Sequence, residues 1–230
     1  MMKTLIKELP ELEKSCAGEV QKLLKEKPGA VLALTAGRTT EGLYALLSDM
    51  CRRGELSFRE AKIFAVTEYV GGEAANSCRS ILKKQLIDNI DLPEGSFFVP
   101  EEKEPEKYDA LIEAAGGIDL CILGIGINGH IGYNEPATPF DSHTHVQKLT
   151  DATHRQYQGG ERQLTEYALT MGIKTIVSSR NILLLAAGQE KADAVFKMIY
   201  GRTDSYIPAA FLQIPLDVTA CVDPAAAAKL

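Results

Sequence analysis

The sequence of 230 residues lacks long apolar runs, an excess of basic residues and closely spaced cysteine pairs. Its first segment, MMKTLIKELPELEK, has no apolar stretch as long as a secretory signal, and no later run approaches the length of a membrane span. The formal net charge of −6 disfavours binding to nucleic acid or to an anionic membrane, because both attract basic surfaces. We therefore expect a cytoplasmic protein with neither of these partners. The sequence does not fix the oligomeric state, and a homo-oligomer is compatible with it.

The cysteines and histidines give no pattern typical of a metal site. Five cysteines are widely separated and odd in number: Cys16, Cys51, Cys78, Cys121 and Cys221. His143 and His145 would share one side of a strand, but no third ligand stands at a suitable spacing. We expect free thiols in a reducing compartment and no metal.

Apolar segments alternate with segments of helical period along the chain. The predicted strands are 30–35, 62–66, 97–99, 118–125, 182–187 and 218–222, and the predicted helices are 41–53, 77–89, 108–115 and 191–200. Strands that are apolar throughout and separated by helices indicate a parallel sheet covered on both faces. The length and the 45% hydrophobic content suit one sizeable core. The sequence therefore predicts one domain over residues 1–230 with a doubly wound, Rossmann-like α/β fold and a mainly parallel sheet.

Polar loops follow four of these strands, where ligands of open α/β sheets bind. They are TAGRTTEG (35–42), TEYVGGEAANS (67–77), GINGHIGYNEP (126–136) and AAGQEK (186–191). The first loop suits a phosphate, because backbone N–H groups at a helix start and hydroxyl groups bind anions. Its candidate ligands are Gly37, Arg38, Thr39 and Thr40, although a threonine there could simply cap the helix. It has neither the Walker pattern nor the dinucleotide glycine spacing, so ATP and NAD are disfavoured.

Two more residues in these loops suit proton transfer or anion binding. Lys191 falls in the first turn of a predicted helix, where a cation is unfavourable because it opposes the helix dipole. A bound anion would explain this position, and the alternative is a solvated side chain. His130 is flanked by glycines and followed by Glu135, a pairing that suits general acid–base catalysis. The alternative for His130 is a structural, hydrogen-bonded histidine.

The run GINGHIGYNEP resembles the signature of the glucosamine-6-phosphate deaminase/isomerase family, roughly G-x-G-x-[DN]-G-H-[IL]-[AG]-[FYL]-N-E-P. The related 6-phosphogluconolactonases share a G-x-[DE]-G-H core without the N-E-P ending. The resemblance continues through AGRTTEGLY, TEYVG, SHTHVQKLT and GQEKADAV. Asn128, in place of the more usual aspartate, is similar to the galactosamine-6-phosphate isomerase branch.

The resemblance implies isomerisation and deamination of a 2-amino-2-deoxyhexose 6-phosphate, galactosamine or glucosamine 6-phosphate, to a ketohexose 6-phosphate and ammonia, without cofactor or metal. It implies that His130 opens the sugar ring and that Glu135 and Asn128 hold and tune this histidine. The 37–40 loop and Lys191 would bind the phosphate. A mobile lid would cover the pocket at about 142–172.

Three departures from the family pattern bear on this activity. The family base is an aspartate in D-E-[YW]-V, where this sequence has Thr67, Glu68, Tyr69 and Val70. A threonine hydroxyl is too weak an acid to serve as a base at neutral pH, which leaves Glu68, and secondarily Asp141, as candidates.

The other departures concern charge. Asn128 brings no negative charge to His130, which disfavours the imidazolium. The lid arginine of the family aligns with Gly159, and Arg38, Arg155 and Arg162 are candidate replacements. Two alternatives therefore stay open, a non-catalytic phosphosugar-binding protein and a 6-phosphogluconolactonase-like hydrolase.

Overall fold

The computed structural model describes residues 2–71, 76–157 and 164–230. In chain order its strands are β1 (Lys3–Ile6), β2 (Val31–Leu34), β3 (Lys62–Ala65), β4 (Thr67–Tyr69), β5 (Phe97–Phe98), β6 (Leu120–Leu123), β7 (His145–Lys148), β8 (Tyr167–Thr170), β9 (Asn181–Ala186) and β10 (Val218–Val222). Its helices are α1 (Leu9–Glu26), α2 (Glu41–Arg52), α3 (Cys78–Gln85), α4 (Pro105–Ala114), α5 (Asp151–Tyr157), α6 (Ile173–Val177) and α7 (Ala192–Tyr200). Short 3-10 helices occupy Ile87–Asn89, Gln189–Lys191 and Pro208–Gln213.

Seven strands form a parallel sheet in the order β1-β10-β9-β6-β2-β3-β5. After β2 the chain continues to β3 and β5 on one side, and it then returns to β6, which pairs with β2 on the other side. The strand order therefore reverses between β2 and β6. In sheets of this kind, ligands bind outside the carboxyl ends of the strands at such a switch point. The predicted α/β fold with a mainly parallel sheet is confirmed.

Helices cover both faces of this sheet. In β2, Leu32 and Leu34 belong to a buried cluster with α1, α2 and α3, whereas Val31 and Ala33 belong to a second cluster with α4, α6 and α7. All four side chains are at most 2% exposed. A strand buried on both sides needs apolar residues at every position, which explains the uninterrupted apolar runs of the sequence.

A separate antiparallel sheet with the order β4-β8-β7 was not predicted from the sequence. β4 follows β3 after a single residue, and its Thr67 pairs with Thr170 of β8. The first residues of the predicted 67–77 loop are therefore a strand. β7 is only four residues long and never fully buried, so it has no apolar pattern to recognise.

The amino-terminal elements β1 and α1 were also missed. β1 is an edge strand with two of its four residues exposed, so its sequence is not uniformly apolar. α1 buries residues at helical spacing, but charged residues stand between them. The predicted strand 118–125 shortens to β6, and the predicted helix 77–89 divides into α3 and a 3-10 turn.

Two other findings concern membrane spans and thiols. Within the described ranges, no helix combines the length and the apolarity needed to cross a membrane. All five cysteines are free thiols, as the sequence predicts.

Candidate active site

A cleft of about 560 Å³ opens at the switch point of the parallel sheet. Its walls come from the loop after β2 (35–40), the loop after β6 (124–133) and the loop after β9 (187–191). Thr67 of β4 and the α5 residues Arg155 and Gln156 complete the lining. The cleft thus brings together loops that lie far apart in the sequence.

His130 lies in this cleft at the end of a tight turn after β6. Gly129 donates its N–H to the carbonyl of Gly126 at 3.0 Å, and Gly126 donates to the carbonyl of His130 at 2.9 Å. A Cβ atom on Gly126 would lie 2.3 Å from imidazole atoms of His130, so only glycine leaves room for the ring. His130 is 5% exposed. The absence of a side chain on Gly126 therefore lets the imidazole lie directly against the loop backbone.

The carboxylate of Glu135 is buried behind His130 and accepts several hydrogen bonds. Asn128 Nδ2 donates to it at 2.6 Å, the backbone N–H of Thr150 at 3.1 Å and the Thr150 hydroxyl at 3.2 Å. The hydroxyl of Thr153 donates to Glu135 Oε1, the oxygen that also accepts the Thr150 N–H. His130 Nδ1 lies 3.8 Å from Glu135 Oε2 and 3.2 Å from Thr153 Oγ1. The structure thus brings His130, Asn128 and Glu135 together, as the sequence predicts.

Asn128 acts on His130 through the backbone and through Glu135. Its Oδ1 accepts the backbone N–H of His130 at 3.2 Å, while its Nδ2 holds the carboxylate. None of the hydrogen bonds described for Asn128 reaches the imidazole ring. These hydrogen bonds connect Asn128 to the loop backbone and to the carboxylate.

Burial lowers the pKa of His130 to about 4, an effect that Glu135 opposes and Lys191 reinforces. The imidazole is therefore neutral near pH 7. A neutral imidazole with one free nitrogen can accept a proton, which is the state a general base requires.

Lys191 also lines the cleft, in the 3-10 turn before α7. The residue is 7% exposed, and its Nζ has no hydrogen-bond partner among the described residues. Burial lowers its pKa to about 8, with Glu190 opposing and Arg38 reinforcing the shift. A buried ammonium without a partner is unfavourable. Its position is explained if an anion binds there.

The loop after β2 presents the start of α2 to the same cleft. The Thr40 hydroxyl donates to the carbonyls of Thr35 and Gly37, each at 3.2 Å, and α2 has no side-chain cap. Thr40 stands at the N-cap position of α2, but its side chain closes the loop and makes no capping hydrogen bond. The N–H of Glu41, the first residue of α2, donates to the carbonyl of Arg38 at 3.3 Å. Residues 37–40 line the cleft, where backbone N–H groups and hydroxyls before a helix suit an anion. Arg38 is exposed and lines the cleft, as does Arg155.

Thr67 and Glu68 are placed differently. Thr67 lines the cleft, is 3% exposed and has its Oγ1 3.4 Å from Cys78 Sγ. The Glu68 carboxylate accepts the backbone N–H groups of Cys78 at 2.8 Å and Arg79 at 2.9 Å, so it caps α3 and does not line the cleft. Glu68 is therefore not placed to act as the C2 base, because neighbouring side chains on a strand point to opposite sides.

Several residues of the site were not found from the sequence. Thr150 and Thr153 contact Glu135, Tyr133 lines the cleft, and the Gln156 side chain accepts the N–H of Ile127 at 3.0 Å. Only the resemblance around SHTHVQKLT pointed toward Thr150.

The remaining predicted candidates lie outside the cleft or outside the described residues. Asp141 is exposed and does not line the cleft, whereas Glu190 lines it and was missed. Gly159 and Arg162 lie outside the described residues. Within the described ranges no group of three or more His, Cys, Asp or Glu side chains could hold a metal ion.

The model of the family of glucosamine-6-phosphate isomerases and 6-phosphogluconolactonases matches residues 7–219 of this chain. The chain belongs to this family. A glucosamine-6-phosphate deaminase of Hahella chejuensis is 40% identical over 240 residues, covering 100% of this chain and 92% of the relative. One from Halalkalibacterium halodurans is 39% identical over 218 residues, covering 90% of this chain and 89% of the relative.

Solved structures agree with this family membership. A monomeric glucosamine-6-phosphate deaminase superposes with a TM-score of 0.94 at 36% identity and covers 100% of both chains. The 6-phosphogluconolactonase of Thermotoga maritima has a TM-score of 0.77 at 20% identity and covers 97% of this chain and 99% of its own, which shows a shared fold. The family resemblance seen in the sequence is thus confirmed, and the galactosamine branch stays a prediction.

Proposed function

We propose that this family member is an amino-sugar-6-phosphate deaminase/isomerase that converts a 2-amino-2-deoxyhexose 6-phosphate to a ketohexose 6-phosphate and ammonia. The observation that carries the proposal is one cleft lined both by a neutral, carboxylate-supported His130 and by the buried ammonium of Lys191, which has no hydrogen-bond partner among the described residues. A sugar with a phosphate at C6 offers an anion for Lys191 and an anomeric hydroxyl for His130.

In this mechanism the phosphate binds Lys191 and the backbone N–H groups of the 37–40 loop. Arg38 adds positive charge near Lys191. Binding the phosphate there directs the anomeric end of the sugar toward the loop after β6.

His130 then opens the ring. Its free nitrogen accepts the proton of the C1 hydroxyl and returns it to the ring oxygen, which gives the open-chain aldehyde. The buried carboxylate of Glu135 stabilises the imidazolium that forms during this transfer.

Isomerisation and deamination complete the reaction. A proton moves from C2 to C1 and another from the amino nitrogen to O1, which converts the amino aldehyde to a C2 imine with a hydroxyl at C1. Water adds to the imine at C2, ammonia leaves, and a ketone remains. Each step is a proton transfer or the addition of water, so we propose that no cofactor takes part. The C2 step needs a base, and Thr67 occupies the position at which the family pattern has its aspartate.

Thr67 also supports a second candidate, a phosphosugar-binding protein that opens the ring without isomerising it. Incubating the purified protein with glucosamine 6-phosphate and with galactosamine 6-phosphate, and measuring ammonia, distinguishes the two. We expect ammonia release that His130→Gln lowers by about 100-fold or more. Binding of both sugars without ammonia would support the second candidate, and hydrolysis of 6-phosphogluconolactone instead would identify a lactonase.

The preferred epimer is decided in the same assay. Asn128 favours galactosamine 6-phosphate by resemblance, whereas the relatives described above are named for glucosamine 6-phosphate. We propose the galactosamine sugar as the better substrate, with a higher kcat/KM as the expected result. A higher kcat/KM for glucosamine 6-phosphate would reject that assignment and leave the reaction class intact.

A further inference from the structure

The hydroxyl of Thr153 lies between the imidazole of His130 and the carboxylate of Glu135. It is 3.2 Å from His130 Nδ1 and donates a hydrogen bond to Glu135 Oε1. Thr153 is 0% exposed and belongs to α5, which is far from the histidine loop in the sequence. The mechanism described above assigns no task to this side chain.

The donors around Glu135 determine where the Thr153 proton lies. The carboxylate also accepts from Asn128 Nδ2 and the Thr150 N–H, and the Thr150 hydroxyl can donate to Glu135 Oε2 at 3.2 Å or to Thr153 Oγ1 at 3.3 Å. Each of these neighbours offers a donor to the carboxylate. An ionised carboxylate has acceptors only, and a threonine hydroxyl has one proton. The Thr153 proton therefore lies on the Glu135 side. The reverse arrangement would leave two oxygens in close contact with no proton between them.

Because the Thr153 proton lies in the hydrogen bond to Glu135, the Thr153 oxygen can act toward His130 only as an acceptor. His130 Nδ1 must then carry a proton, and Nε2, on the opposite side of the ring, is left free. Because Nδ1 faces Thr153 and Glu135 while the ring lines the cleft, Nε2 is the nitrogen available to substrate.

We propose that Thr153 is a positioning residue that fixes His130 in the tautomer with a proton on Nδ1 and a free Nε2. Its catalytic consequence rests on the function proposed above. The direct distance of 3.8 Å from His130 Nδ1 to Glu135 Oε2 is too long for a hydrogen bond, so the hydroxyl makes the connection.

Helix α5 keeps Thr153 in this place. The Thr150 hydroxyl oxygen accepts the Thr153 N–H at 3.3 Å at the helix start, and the Thr150 N–H itself binds Glu135 at 3.1 Å. Asn128 is neutral and makes no described hydrogen bond to the ring, so the carboxylate acts on the imidazole through Thr153. The orientation of the base thus depends on a helix outside the histidine loop.

Nitrogen-15 NMR of histidine-labelled protein at pH 7, without substrate, tests the proposal directly. We expect His130, identified by its absence from the His130→Gln spectrum, to show a protonated Nδ1 and an unprotonated Nε2. Thr153→Val keeps the shape but removes the hydroxyl, and should shift the ring toward the other tautomer. Thr153→Ser should retain the original one. A wild-type ring protonated at Nε2, or a Thr153→Val spectrum identical to wild type, would overturn the proposal.

Thr144→Val is the matched control, because Thr144 is also buried but its hydroxyl has no hydrogen-bond partner among the described residues. It should leave the His130 signals unchanged. If Thr153→Val does not fold, the wild-type spectrum still decides the tautomer.

A kinetic measurement adds the functional consequence. With a hexosamine 6-phosphate that is a substrate, Thr153→Val should lower kcat by about tenfold with little change in KM, less than the roughly 100-fold loss expected without the acid–base group. Thr153→Ser should restore kcat. An unchanged kcat in Thr153→Val would remove the catalytic part of the proposal. If no ammonia forms even in wild type, the proposed function fails while the NMR result still decides the tautomer.

Discussion

Thr67→Asp should supply the C2 base for which no described residue is suitably placed. Removing a proton next to a carbonyl requires a carboxylate or a similar base within hydrogen-bond reach. The Thr67 side chain lines the cleft. Glu135 instead accepts hydrogen bonds behind His130, and Glu190 stands next to Lys191, the residue proposed to bind the phosphate. We therefore expect weak deamination by the wild type and a clear gain in the variant.

The size of the gain follows from the burial of position 67. A positioned general base contributes roughly 100-fold or more. Thr67 is 3% exposed, so burial will raise the pKa of an aspartate placed there. If that pKa lies about one unit above the assay pH, about 90% of the carboxyl groups are protonated and a factor of about ten is lost. A net gain of about tenfold or more remains.

Hydrogen exchange separates ring opening from isomerisation in this experiment. In deuterated water, wild type should interconvert the anomers of the sugar through His130, but little deuterium should enter the sugar at C1 or C2. Thr67→Asp should incorporate deuterium and release ammonia faster, with either hexosamine 6-phosphate. Thr67→Asn places a side chain of nearly the same shape as aspartate but without a basic carboxylate, and it should resemble wild type.

The opposite pattern would refute this reasoning. If wild type already turns over at a common enzyme rate of about 10 per second and Thr67→Asp slows it, another residue carries the C2 proton. Glu190→Gln would then be assayed first, because Glu190 is a carboxylate that lines the cleft.

The other predictions concern Lys191 and His130. Lys191→Ala should weaken binding of a hexosamine 6-phosphate by about 1.5–3 kcal/mol in calorimetry, the range for a hydrogen bond to a charged group, whereas the exposed Lys197→Ala on α7 should not; equal affinities would exclude Lys191 from the phosphate site. His130→Gln should lower turnover by about 100-fold or more at a nearly unaltered melting temperature at pH 7, and large destabilisation with intact turnover would instead indicate a structural histidine. The pKa of His130 falls from 6.5 to about 4 on folding, so between these pH values the unfolded chain binds a proton that the folded chain does not. The free energy of unfolding therefore decreases as the pH falls through this range. Unfolding by urea at pH 6.5 and 5 should therefore show a loss of up to about 2 kcal/mol in wild type and a smaller loss in His130→Gln; equal losses would contradict the buried neutral imidazole.

The sheet and the location of the cleft could be predicted because each depends on local patterns. Uniformly apolar strands separated by helices allow few arrangements, and the loops at their carboxyl ends must meet. This reasoning placed His130, Thr40 and Lys191 at one site although they lie far apart in the chain. It failed for β7 and β8, since strands of four residues with exposed positions give no periodic signal.

The contacts within the site were less predictable, because they depend on the directions of side chains. Glu68 and Thr67 are neighbours in the sequence, yet one caps α3 and the other lines the cleft. Thr153 carries no motif of its own, and only the packing of α5 beside the loop after β6 brings its hydroxyl to His130. Such a contact can be read from a structure, but the residue type and spacing do not indicate it.

The two substitutions in the family pattern differ in their physical consequences. Asn128 lacks a charge, but Glu135 supplies one nearby, and the Thr153 hydroxyl connects that carboxylate to His130. Glu135 and Thr153 can compensate in this way because His130 is fixed in one place in the protein. The C2 base must instead reach a substrate atom, and a charge elsewhere in the protein cannot replace a missing proton acceptor at hydrogen-bond distance. Ring opening should therefore withstand the change at position 128, whereas isomerisation should be limited by the change at position 67.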